Sequence, residues 1–265
     1  MSQGCVEADE LITNDEIMEC TTEDFLGYID DLSEKIVILR HLEQPGRGLL
    51  VRPCDSSRYF EGGQWKTKKN IQARFGDNYT APGTFVTLTY DHEKYTRWEA
   101  WERVAKDIKR FLHNITMRYK RAGRKSSPRY IWVIEEQSKT GYPHVHIFYP
   151  RLHWLLAKED IQALWGVGRT RIEAAKGVNV GRYICKYITK MGGWSDEAMA
   201  FIWRHKIRMY GYSRKYSLPV EDKTPGDWMF IKMTNREHLN FYENLGMLLI
   251  SIPDIDNIED YLDSS

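Results

Sequence analysis

Arg129-Tyr-Ile-Trp-Val-Ile-Glu-Glu136, Gln137-Ser-Lys-Thr-Gly141 and Tyr142-Pro-His-Val-His-Ile-Phe-Tyr149 follow one another without a break. The outer runs are rich in β-branched and aromatic residues, which suit a pleated, half-buried surface, and the short piece between them is polar and ends on glycine. Strands over 129–136 and 143–149 joined by a turn over 137–141 make a β-hairpin. A hairpin implies an antiparallel sheet. It also sets His144 and His146 at i and i+2, so both imidazoles leave one face of their strand.

The flanking segments extend this sheet. Thr84-Phe-Val-Thr-Leu-Thr-Tyr90 reads as a buried strand that Asp91-His92 ends. Trp98 to Arg121 is an amphipathic helix with Trp101, Val104, Ala105, Ile108, Phe111, Leu112 and Ile115 on its inner face. After a basic loop and the hairpin come a short helix over 158–165, a strand over 169–173 and a helix over 180–191. The order β, α, β-β, α, β, α predicts an α+β fold, an antiparallel sheet with helices on one face. Upstream, residues 1–20 read as weakly ordered and Thr21 to Leu42 as a helix. Residues 43–83 are rich in Gly, Pro, Asn and Asp, with short β-like pieces such as Gly48 to Val51.

Composition narrows the class. A hydrophobic share of 42% with 13% aromatic suits a soluble globular protein of one cored domain with elaborations. The apolar runs are too short for a membrane span, and the acidic start is not a signal peptide. Cys5, Cys20, Cys54 and Cys185 lie far apart with no C-x-x-C, so a reducing cytoplasm is expected. Net charge is +1, but the acidic residues concentrate at the ends. Residues 36–253 hold 37 basic against 21 acidic residues, a formal +16. A basic body interleaved with Trp and Tyr suits single-stranded nucleic acid.

Two groups carry chemistry. His-x-His alone is a weak signal, since two solvated imidazoles on a strand are common. The hairpin, however, returns a carboxylate beside them, and two His with one carboxylate leave positions open for water and substrate on a divalent metal. Glu136 is the preferred third ligand; Glu135, on the other face of the strand, is the alternative. The second group is Tyr183-Ile-Cys-Lys-Tyr-Ile-Thr-Lys190, a doubled Tyr-x-x-Lys whose tyrosines fall on one helical face. Its ordinary reading is a helix burying two rings with snorkelling lysines. Its chemical reading is a tyrosine nucleophile, activated by a metal that polarises a phosphate and by a lysine that stabilises negative charge.

These motifs resemble the rolling-circle replication initiators of the HUH endonuclease superfamily. Phe85-Val-Thr-Leu-Thr-Tyr90, Pro143-His-Val-His-Ile147 and Tyr183 to Lys190 stand in the family's order, and the Glu136-x4-Gly141-x-Pro-His144 spacing resembles its placement of the third ligand. The doubled tyrosine resembles the two-tyrosine initiators of small phages and of archaeal and bacterial plasmids. The resemblance implies a five-stranded RNA-recognition-like sheet as a catalytic domain over 84–215. An N-terminal elaboration (1–83) and a C-terminal extension (216–265) would flank it.

It further implies Mg²⁺ or Mn²⁺ held by His144, His146 and Glu136, with Tyr183 and Tyr187 as nucleophiles and Lys186 and Lys190 as the motif's lysines. Tyr187 is preferred for the first nick, because related one-tyrosine initiators carry a carboxylate where Tyr183 stands. The implied activity is nicking and rejoining of single-stranded origin DNA through a covalent 5′-phosphotyrosine, in the cytoplasm of a prokaryotic host. Ile202-Trp-Arg and Tyr212-Ser-Arg resemble a downstream segment of related proteins. No G-x-x-x-x-G-K-[ST] loop occurs, so a host helicase or supercoiling would open the duplex. Relaxases place their tyrosine before the histidines, the reverse of this chain. The alternatives are an HUH-type transposase and a non-catalytic sequence-specific binding protein.

Overall fold

The structure is a computed structural model that describes residues 14–41, 49–54, 57–75, 80–124, 127–188, 190, 193–213, 228–238 and 249–251. In chain order its elements are α1 (Asn14–Ser33), β1 (Lys35–His41), β2 (Leu49–Pro53), α2 (Glu61–Phe75), β3 (Thr80–Leu88), α3 (Arg97–Arg121), β4 (Ile131–Glu136) and β5 (Pro143–Pro150). There follow α4 (Lys158–Trp165), β6 (Thr170–Asn179), α5 (Val180–Ile188), α6 (Asp196–Arg204), β7 (Tyr210–Tyr212), β8 (Trp228–Asn235) and β9 (Leu249–Ser251). The central sheet has the order β6-β3-β5-β4-β7, antiparallel throughout. The five strands agree with the α+β reading.

One face of this sheet presents Val86, Leu88, Ile134, Val145, Ile147 and Tyr149 to the apolar stripe of α3, all buried. Each such fully buried side chain contributes roughly 1.5–3 kcal/mol through area removed from water. α3 starts where its sequence directs: Thr96 and Glu99 form a reciprocal capping box, which satisfies two helix-end donors. Trp101, fully buried on α3, donates from its Nε1 to the Gly141 carbonyl at 2.9 Å, which ties the hairpin turn to the helix. Gly141 sits at φ +70°, a conformation that glycine adopts without strain. α1 closes over the same core, its Phe25 and Tyr28 rings 6.0 and 5.2 Å from that of Trp203 on α6.

Helices cover the second face too, where one-sided cover was expected. Phe85, Ile131, Val133 and Phe148 pack against Ile71 of α2 and Ile184, Cys185 and Tyr187 of α5. A strand covered on both sides reads as an unbroken apolar run, and Ile131-Trp-Val-Ile134 is one. This second cover is what brings the tyrosine helix onto the sheet.

Three further differences have local causes. The expected helix over 21–42 begins earlier, at Asn14, and stops at Ser33, because Ile36-Val-Ile38 is β-branched and pairs with strands on both sides. α2 lies inside the stretch read as loop, its helical period diluted by Gly62, Gly63 and a polar surface. β6 continues to Asn179, beyond the expected end at Glu173. The outer segments also join: β8-β1-β2-β9 form a four-stranded sheet, antiparallel except for β2 with β9. Residues 1–13 and 216–227, assigned to the elaboration and the extension, lie outside the described residues. Among the described residues no helix is long and apolar enough to cross a membrane.

Candidate active site

β5 runs between β3 and β4, and its pairing register decides which side chains share a face. Glu135 lies opposite His144, while Val133 and Thr87 lie opposite His146 from the two neighbouring strands. Directly paired residues point the same way, so Glu135, Thr87 and both imidazoles sit on the face that α5 covers. His146 Nε2 is 2.9 Å from Glu135 Oε2, and its Nδ1 is 3.3 Å from Thr87 Oγ1. An Nε2–H donated to the carboxylate, with Nδ1 accepting the Thr87 hydroxyl, satisfies all three groups. Lys190 Nζ donates to the other carboxylate oxygen of Glu135 at 2.5 Å. Burial pushes the Glu135 carboxyl up, but the His146 and Lys190 hydrogen bonds outweigh it and hold the group down at about 2.

Glu136, the expected third ligand, does not join the histidines. It pairs with Pro143 and points to the α3 face. There its carboxylate accepts from Ser195 N at 2.7 Å and from Ser195 Oγ at 2.6 Å. Ser195 is the N-cap of α6, its Oγ also accepting from Ala198 N. Glu136 is therefore committed to a helix start, where negative charge is favoured. Glu135 is the carboxylate beside the imidazoles.

α5 brings both tyrosines to the same face. The Tyr187 ring stacks on His146, centroids 4.2 Å apart at 20°, and the Tyr183 ring packs on Phe85 at 4.1 Å. Tyr187 donates its hydroxyl to the Tyr183 oxygen at 2.6 Å. Burial first, then this donated hydrogen bond, raises the Tyr187 pKa and keeps its proton on. Lys190 Nζ lies 5.4 Å from the Tyr187 ring centroid, whereas Lys186 stands exposed on α5. Phe85 and Thr87 were legible in the sequence as strand residues but not as site residues, because their alternation shows locally and their register does not. His92 was read only as a strand end. It stacks on Tyr142 at 3.9 Å and lies near enough to oppose a charge on His144.

Burial, and then the neighbouring His146, lower His144 from 6.5 to about 4. An imidazole that takes up its proton less readily folded than unfolded contributes stability above pH 6.5, which is lost as pH falls through about 4. In metal-free buffer, thermal unfolding midpoints are expected to fall between pH 6.5 and 4. His144→Gln, which cannot titrate, should flatten that part of the profile.

A resident divalent ion can be weighed against these donors. Among the described residues no three His, Cys, Asp or Glu side chains converge as they stand, because Glu135 engages His146 and Lys190. The donors fit in kind: an imidazole held uncharged at neutral pH, a second imidazole and an ionised carboxylate share one half-buried face. Ligation requires Glu135 to release Lys190.

Residues 83–192 match the family model of the ORF2-type replication-associated protein. The matched segment runs from β3 to just past α5 and contains both histidines, Glu135, both tyrosines and Lys190. It supports a role in replication for this part of the chain. No curated protein matches, and no solved structure matches.

Proposed function

We propose that this chain nicks and rejoins single-stranded DNA at a replication origin by tyrosine transesterification, as a two-tyrosine initiator of the HUH kind. The observation that carries the reading is the stack of Tyr187 on His146 with the Tyr183 and Tyr187 hydroxyls 2.6 Å apart. Both nucleophile candidates thereby reach one phosphate position on the face that bears the imidazoles and Glu135. The +16 body supplies sequence-independent attraction for the strand.

In the reaction a tyrosine oxygen forms a bond to the scissile phosphorus while the bond from phosphorus to the 3′ oxygen breaks. The phenolic proton is passed on and the leaving 3′ oxygen ends as a hydroxyl. Reversal by a new 3′-hydroxyl rejoins the strand, so bond energy is conserved. Lys190, released from Glu135, balances charge on the phosphate oxygens. His144, His146 and Glu135 would hold a divalent cation, which when bound supplies positive charge that polarises the phosphate. Mixed nitrogen and oxygen donors favour Mn²⁺ at least as much as Mg²⁺. A host helicase or supercoiling supplies the open strand, and the cytoplasm of a prokaryotic host is the setting of this activity.

Incubating the full chain with labelled single-stranded origin DNA and Mn²⁺ is expected to leave a protein–DNA adduct that survives denaturation. Binding without an adduct in either Mn²⁺ or Mg²⁺ would leave a non-catalytic binding protein. Specificity for paired transposon ends would mark a transposase.

A further inference from the structure

The face of the central sheet opposite the tyrosines carries a second feature suited to nucleic acid. A cleft of about 390 Å³ lies between α3 and the β4–β7 edge of the sheet. That volume falls in the ~300–1,000 Å³ range of small-ligand sites. Tyr130 and Trp132 give it ring surface, and Lys109, His113 and Arg208 give it basic groups; among the described residues no carboxylate lines it. Lys109 and His113 stand one turn apart on the exposed flank of α3, and Arg208 rises across from them on the segment before β7.

Gly211 keeps the indole open. It pairs across the sheet with Trp132, and a Cβ there would lie 2.7 Å from the Trp132 ring. Any side chain at 211 would occupy the flank of the ring where a planar base stacks. Tyr212, in the segment whose role sequence left open, borders the cleft and also packs against the cluster that contains Tyr183 and Tyr187. β7 is only three residues long and forms the sheet edge. One short edge therefore separates the cleft from the candidate active site.

We propose that this cleft is a second single-stranded DNA site, seating a base against Trp132 and Tyr130 and its flanking phosphates on Lys109, His113 and Arg208. It rests on the reading that the chain binds single-stranded DNA, and it adds a hold on the strand beyond the nicked phosphate, reached around the β7 edge. Aromatic faces beside cations, with no acidic residue among them, match a strand with unpaired bases better than a duplex, whose bases are already stacked.

The test uses the full-length chain and fluorescence anisotropy with two oligonucleotides. One is short enough to fill only the tyrosine face; the other is about three times longer, within the span of ~4–16 nucleotides per site for two sites. The surface double variant Lys109→Ala/Arg208→Ala is expected to weaken the longer strand about tenfold and leave the short one unchanged. Its salt dependence should become shallower by about 1.4, since each lost phosphate contact on single strands removes ~0.7 from the slope. Trp132→Leu should weaken the longer strand with the salt slope preserved, as loss of stacking predicts; its thermal midpoint reports whether the sheet is intact.

Wild-type affinity of the double variant for the longer strand overturns the proposal. So does an equal loss on duplex DNA of the same length, which marks general charge without base seating. Adduct formation is scored separately on the short oligonucleotide. If wild-type protein forms none while the groove variants still lose the longer strand, the nicking reading fails and the second site stands.

Discussion

His146→Ala is expected to lower the nicking rate by about three orders of magnitude, about 4 kcal/mol of barrier, while single-strand affinity changes by less than about threefold. His146 is the hub of the site: its two nitrogens meet Glu135 and Thr87, and its ring carries the Tyr187 stack. Removing it deprives the carboxylate of its orienting partner and Tyr187 of its platform in one step. The affinity is spared because the basic body holds the strand. Companion variants separate the two adjacent carboxylates. Glu135→Gln should cost about two orders of magnitude in rate with little change in thermal midpoint, because it removes the charge that gathers His146 and Lys190. Glu136→Gln should do the reverse. It weakens a buried, charge-assisted pair of hydrogen bonds to Ser195, at a cost of about 1–3 kcal/mol in stability, and leaves the rate per folded molecule near wild type. Single-turnover cleavage and thermal unfolding on both variants read the outcome. A silent Glu135→Gln beside a folded but inert Glu136→Gln would return the ligand role to Glu136.

Why the sequence led to the wrong carboxylate is a matter of parity. In the hairpin the pairing joins Glu135 to His144 and Glu136 to Pro143. A loop one residue longer or shorter slips the register and exchanges the faces of the two glutamates. Nothing in Gln137 to Tyr142 announces that choice; the Gln137 N to Tyr142 carbonyl hydrogen bond and the positive φ of Gly141 set it only in the folded turn. What was legible rested on single-element periodicity. The α3 stripe, the strand at 84–88, the shared face of His144 and His146 and the helical spacing of Tyr183 and Tyr187 each follow from one period applied to one segment. What was not legible needed a partner segment. β1 is a strand because β2 and β8 flank it, and β8 lies almost two hundred residues downstream. α2 is held as a helix by packing on α5, which no local period reveals. The second cover of the sheet, and with it the meeting of tyrosines and histidines, belongs to this class.

The tyrosine pair gives the other large effect. Tyr183→Phe/Tyr187→Phe is expected to abolish the covalent adduct altogether, since among the described residues α5 places no other hydroxyl on that face. The single variants decide how the pair divides the work. Tyr187 was preferred for the first nick on sequence resemblance, but the hydrogen bond runs from Tyr187 to the oxygen of Tyr183. An oxygen that accepts such a bond is stabilised as it becomes negative, whereas a donor must give up its bond to do so. Tyr183 is also the less buried of the two, partly exposed where Tyr187 is 8% exposed. The geometry thus favours Tyr183 for the first attack and Tyr187 as the donor that steadies it. Once Tyr183 is esterified, the Tyr187 hydroxyl loses its acceptor and is released for the second attack, on the regenerated origin. Tyr187→Phe should then slow the first nick by about tenfold, the loss of about 1.4 kcal/mol from one hydrogen bond to a developing charge, and block rejoining. Tyr183→Phe should cut the first nick more deeply. Nicking and rejoining, measured separately on a suicide oligonucleotide and on a substrate with a free 3′-hydroxyl, resolve the order. A Tyr187→Phe variant inert in the first nick, beside a Tyr183→Phe variant with wild-type rates in both reactions, would restore Tyr187 as the sole nucleophile and reduce Tyr183 to a packing residue on Phe85.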